Sequence, residues 1–180
     1  MLRQTLATVG FAVALAALPA AAFAQQMSDA DYIAKVSAAA PAAVVKGATI
    51  VQMGKGGTMR TLQTGTNGFT CLMAGTDAMC ADKNAMAWIH AMIAHASPPN
   101  VVGFAYMLAG DQGGSNTDPM ASAKTADNHW VVTGPHLMMF APSATTMGYP
   151  TTADADPSAP YVMWANTRYA HVMIPVSAAP

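Results

Sequence analysis

Two tripeptides of matching chemistry stand out: His136-Leu137-Met138 in GPHLMMF and His171-Val172-Met173 in YVMWANTRYAHVMIPV. Imidazole nitrogen and thioether sulfur together suit a soft ion, Cu(I) above all. In an extended strand alternate side chains share a face, so each tripeptide sends its His and its Met to the same side. If the two strands are neighbours in suitable register, His136, Met138, His171 and Met173 converge into a copper site. The competing reading is plain packing. The chain holds 15 methionines scattered through every expected element, and methionine is a common gap-filler in cores. No tight Met-x-Met cluster accompanies the pairs. Apart from copper, the residues point to no cofactor.

A hydrolytic set is the second candidate. Ser115 is the nucleophile such a set would use. Asp127, His129, His136 and His171 would supply a base and the acid that orients it. The Gly-x-Ser-x-Gly elbow is missing. All nine acidic residues are Asp, which removes every mechanism built on Glu, including HExxH metal sites, EF-hands and paired-Glu glycoside hydrolysis. Asp111, Asn116 and Asp118 offer hard oxygens for calcium, at a spacing that also suits ordinary turns. The third candidate is a binding module. Tyr106, Trp130, Tyr161, Trp164 and Tyr169 lie in or beside expected strands, where aromatics line either a small-molecule pocket or a core.

The elements that must position these residues follow from periodicity and turn chemistry. Ser28 caps a short helix with Asp29 and Asp31 in its first turn and Ile33, Val36 and Ala40 along one side; Pro41 ends it. ATIVQM and TMRTLQT flank Gly54-Lys55-Gly56-Gly57 and predict a hairpin. Asp82 caps a helix over residues 83–96, with Ala85, Met86, Ile89, Met92, Ile93 and Ala96 toward the core and Trp88 on the border of that face. Residues 101–109 read as a central strand buried on both faces. A long loop spans 110–128, a strand interrupted at Gly134-Pro135 spans 129–141, and a second loop spans 142–160. Residues 161–176 close the chain as a hairpin turning at Ala165-Asn166-Thr167-Arg168. The expected class is α+β: a mixed or antiparallel sheet with one or two helices packed on it, long loops and one disulfide.

Met1-Leu2-Arg3, the apolar run Val9 to Leu18 and Ala22-Phe23-Ala24 have the layout of a signal peptide cleaved after Ala24. Residues 1–24 are therefore the expected signal and 25–180 a single globular domain, with no membrane span after cleavage. Export to the periplasm or beyond favours pairing of the two cysteines, Cys71 and Cys80. Charged residues make up 9% of the chain against an ordinary ~25%, without a basic patch, so nucleic acid is not an expected partner. A weakly polar surface instead favours a small molecule, a protein partner or self-association. NGFTC, DNHWVVTGPH and PYVMWANTRYAHVMIPV resemble a group of short exported bacterial proteins without an assigned activity. That resemblance implies export and one domain, and carries no catalytic or binding residues.

Overall fold

A computed structural model describes residues 27–54 and 58–176; the expected signal peptide and residues 55–57 of the expected Gly-rich turn lie outside them. Helix α1, Asp29–Ser37, starts where the Ser28 hydroxyl accepts the Asp31 N–H, and buries Tyr32 and Val36. The helix stops at Ser37 with Ala38 as its C-cap, so Ala40, expected along its side, lies beyond it. A second helix follows at once, α2, Ala42–Gly47. Pro41 is its N-cap, with φ −54° and an extended ψ of 142°, so the residue read only as a stop also precedes a helix start.

Strands β1, Thr49–Met53, and β2, Met59–Gln63, form the expected antiparallel hairpin. Strands β3, Phe69–Ala74, and β4, Asp77–Asp82, form a second. Asp82 then caps α3, Lys83–Ile93, by accepting the Ala85 N–H. Next come β5, Gly103–Met107, the short β6, Gly114–Ser115, and β7, Trp130–Val131. Strands β8, His136–Phe140, β9, Tyr161–Met163, and β10, His171–Pro175, complete the chain. Eight strands make one sheet in the order β2-β1-β3-β4-β5-β8-β10-β9, while β6 and β7 pair separately. Only β1 and β3 run parallel, so the sheet is mixed and the fold is α+β.

Alternation across the sheet sorts the core into layers. Cys71, Ala78 and Cys80 face α1 and α2, joined by Tyr32, Val36 and Ile50. Leu72, Met79, Ala105, Met138, Phe140 and Met173 face the other way, toward α3. Val162, Val172 and Ala144 make a smaller cluster on the α1 side of the far end, under the 3-10 turn Ala144–Thr146. Gly103 sets how closely α3 approaches: a Cβ there would overlap the backbone of Asn84 and Ala85.

Cys71 and Cys80 are directly opposed on β3 and β4, with Cα atoms 4.0 Å apart, and are bonded. The expected disulfide is present. It closes a loop of nine-residue separation, for which chain entropy gives about 2.5–3 kcal/mol. A Cys71→Ala/Cys80→Ala variant should therefore unfold at a lower urea concentration by that free energy, read from the midpoint at constant slope.

Three expectations change. The buried centre of α3 is Ala85 and Trp88, whereas Ile93 is 61% exposed and the helix stops there rather than at Ala96. Met86, Ile89 and Met92 pack against the same core as expected, and the indole, the largest apolar group, takes the centre of that face instead of its border. Strand β5 buries Gly103, Ala105 and Met107 toward α3, but Phe104 on its other side is 41% exposed, since α1 and α2 cover β3 and β4 instead. The Gly134-Pro135 break does more than bend one strand: it separates β7 from β8, which belong to different sheets.

Candidate functional site

The two His-x-Met tripeptides do lie on neighbouring strands. β8 and β10 pair antiparallel with Met138 opposite Met173, Leu137 opposite Ile174 and His136 opposite Pro175. All four proposed ligands therefore share the α3 face. The register that joins the methionines separates the histidines. His136 lies one row to one side of the Met138–Met173 pair and His171 one row to the other. Four residues of strand rise plus one strand spacing put their Cα atoms about 14 Å apart. Among the described residues, no group of three His, Cys, Asp or Glu side chains is placed to hold a metal ion.

Each histidine has its own setting. His136 is fully buried on β8, and its Nδ1 donates to the Gly134 carbonyl at 2.7 Å, since a carbonyl only accepts. Its Nε2 has no hydrogen-bond partner and lies 4.0 Å from Asp111 Oδ2, beyond direct bonding range. The other Asp111 oxygen accepts the N–H groups of Gly113 at 3.0 Å and Thr133 at 2.8 Å. Burial pushes the Asp111 carboxyl up, against the pull of the Thr133 N–H. Beside them the Thr133 and Tyr161 hydroxyls meet at 2.9 Å, and burial pushes the Tyr161 phenol up to about 12.

His171 is caged by rings. Trp164, Phe140 and Trp88 stand at centroid distances of 4.9, 5.1 and 5.4 Å from it, and its Nδ1 donates to the Tyr169 carbonyl at 3.1 Å. Trp88 also packs on Phe140, Trp164 and Tyr169, so α3, β8 and the β9–β10 hairpin meet in one aromatic cluster. Trp164 takes a left-handed backbone, φ 57°, and its indole N–H donates to the Ser115 carbonyl at 2.6 Å.

The remaining candidates are occupied by local structure. The Ser115 hydroxyl donates to the Asn128 carbonyl at 2.7 Å and accepts the N–H groups of Thr117 and Asp118. His129 pairs with Asp154 at the surface, 2.7 Å, instead of with Asp127. Ser115, His129, His136 and His171 thus sit in separate surroundings. Of the calcium set, Asn116 donates to the carbonyls of Thr152 and Ala153, and Asp118 accepts the Met120 N–H, both fixing loops. Trp130 lies against Gly113, whose φ of 97° and missing Cβ make room for the indole. Tyr106 packs on Phe69 on the opposite sheet face.

Above the aromatic cluster opens a cleft of about 330 Å³. Trp88, Pro98, Pro99 and Pro142 give it apolar walls, and Asn100, Thr145 and Arg168 contribute polar side chains. Those three make no side-chain hydrogen bond or ion pair among the described residues. Arg168 sits at the expected turn of the C-terminal hairpin. Sequence reading missed the set because its parts come from three distant segments. The available signal was an arginine in a turn of a chain with only eight basic residues.

No protein-family model matches this chain, and neither a curated protein nor a solved structure matches it.

Proposed function

We propose that this chain is an exported, non-catalytic binding module that takes a small carboxylate-bearing molecule with a flat apolar body. Its site is the cleft between Trp88 and Arg168. The observation that carries the reading is that three uncommitted polar groups, Asn100, Thr145 and Arg168, line one cleft together with Pro98, Pro99 and Pro142. Pockets of this kind bind by apolar contact and orient by a few placed donors. An arginine fork donates two parallel hydrogen bonds to a carboxylate, and the Asn100 amide and Thr145 hydroxyl of the same lining can donate to its remaining lone pairs. Export is supported by the disulfide and the N-terminal layout, and no described helix is long and apolar enough to cross a membrane.

Benzoate is a suitable probe. Titration followed by heteronuclear NMR should shift the Asn100 side-chain amide and the Thr145 and Arg168 signals saturably. Losing a charged hydrogen bond is worth about 1.5–3 kcal/mol, so Arg168→Gln should weaken benzoate binding by about tenfold or more while leaving the urea midpoint unchanged. Benzamide, the uncharged isostere, should bind the parent as weakly as benzoate binds the variant. Equal benzoate affinity in parent and variant would sink the reading, as would saturable shifts confined to another part of the molecule.

A further inference from the structure

A second opening, independent of the Arg168 cleft, runs around the turn end of β3 and β4 between α1 and α3. It measures about 560 Å³ and takes in Met27, Met53, Met73 and Met79 together with Ile89 and Ile93. Register places Met53 and Met79 on the α3 side of the sheet and Met73 on the α1 side, so the groove wraps over the sheet end instead of enclosing one point. That spread suits an elongated apolar guest and not a single soft ion. Met27 and Met53 are each 43% exposed and Ile93 61%. Exposed apolar side chains gathered in one groove mark an interaction site, and unbranched methionines adapt to a guest of irregular shape.

The polar features of the groove narrow its occupant. The Tyr32 hydroxyl is already committed, donating to the Val51 carbonyl at 2.9 Å and accepting the Met73 N–H at 3.0 Å, so it offers the guest only its ring. Lys35 is the single charged residue of the lining, and its ammonium has no ion-pair partner among the described residues. We infer that this groove binds an amphiphile with a single alkyl chain and an anionic head: the chain lies along the methionines and Ile93, and the head meets Lys35. The chemistry is that of a fatty-acid anion.

Laurate, kept below its micelle concentration and titrated calorimetrically into the mature protein, should bind saturably at one per chain. Decanoate should bind about fourfold more weakly, since two methylenes half-buried in an open groove recover half of the full transfer free energy. Dodecyltrimethylammonium, with the same chain and the opposite head, should bind at least about tenfold more weakly than laurate, the scale of one well-placed charge contact. Ile93→Asp, at an exposed position that leaves folding intact, should lower laurate affinity by about tenfold or more. Lys35→Glu should remove or reverse the head-group preference. Arg168→Gln should leave laurate binding untouched, which separates this groove from the cleft. The proposal is overturned by unsaturable laurate uptake, by equal binding of the two head groups, or by full laurate affinity in Ile93→Asp. It is also overturned if sedimentation shows a dimer that Ile93→Asp dissociates, since a second copy would then cover the groove.

Discussion

Trp88→Ala is expected to remove about 3–5 kcal/mol of folding stability, the range for deleting a large buried aromatic. Trp88 is 4% exposed and is the common neighbour of Phe140, Trp164, Tyr169 and His171. Its loss opens a void at the junction of α3, β8 and the β9–β10 hairpin, and these three elements approach from different parts of the sequence. Neighbours can collapse only partly into such a void. The His171 ring is held by Phe140 and the β10 backbone, and Tyr169 is tied through its hydroxyl to the Ala96 carbonyl at 3.1 Å. A urea titration checks the value through the shift in midpoint at constant slope. A cost near 1 kcal/mol would mean that the cluster is packing filler and not the joint between helix and sheet. Trp88→Phe keeps an aromatic at the centre and should recover more than half of the loss.

How much of this was legible in the sequence differs by level. Local signals carried well. The Ser28 and Asp82 caps, the Gly-rich hairpin, the disulfide and the turn at Ala165 to Arg168 depend on residues within a few positions of one another. The class, α+β with a mixed or antiparallel sheet, followed from counting those elements; that the sheet is mixed did not. The strand order did not, because it depends on which strands meet across long loops, and a pattern of period two is the same for every partner. The His-x-Met echo shows the limit most clearly. Each tripeptide's own alternation was foreseeable and the pairing of the two strands was only a condition; register then decides which residues touch, and it placed Met138 against Met173 while setting the histidines at opposite ends. The face of α3 was largely legible: Ala85 is buried, and Met86, Ile89 and Met92 pack on the core. Its centre was not, because counting apolar positions gave Ile93 the same weight as Trp88, although burying an indole removes far more apolar surface from water. The cleft was the least legible feature: Asn100, Thr145 and Arg168 carry no shared spacing, and only the folded sheet brings them together.

The aromatic cage also makes stability depend on pH, through His171. Burial is the main cause that lowers its pKa, from 6.5 to about 4; the hydrogen bond to the Tyr169 carbonyl opposes the shift and the charge of His136 adds to it. The folded protein therefore holds a neutral ring over a range in which the unfolded chain binds a proton. Stability from this source is complete above about pH 6.5 and falls as the pH drops, levelling off below about 4. Each pH unit within that window corresponds to about 1.4 kcal/mol, so the full loss is about 3 kcal/mol. Asp111 acts in the opposite sense, because a carboxyl raised by burial keeps its proton in the folded state and favours folding at low pH. The two effects overlap, and a pH series on the parent alone gives only their sum. His171→Phe isolates the histidine: it retains a ring against Phe140, Trp88 and Trp164 and cannot titrate. Between pH 7 and pH 4 the parent should lose about 3 kcal/mol more than this variant, with contributions from Asp111 and the surface acids common to both. Parallel stability curves would show that the imidazole charges within its cage. In that case the rings around it, whose negative faces attract a cation, would be stabilising the protonated form instead of excluding it.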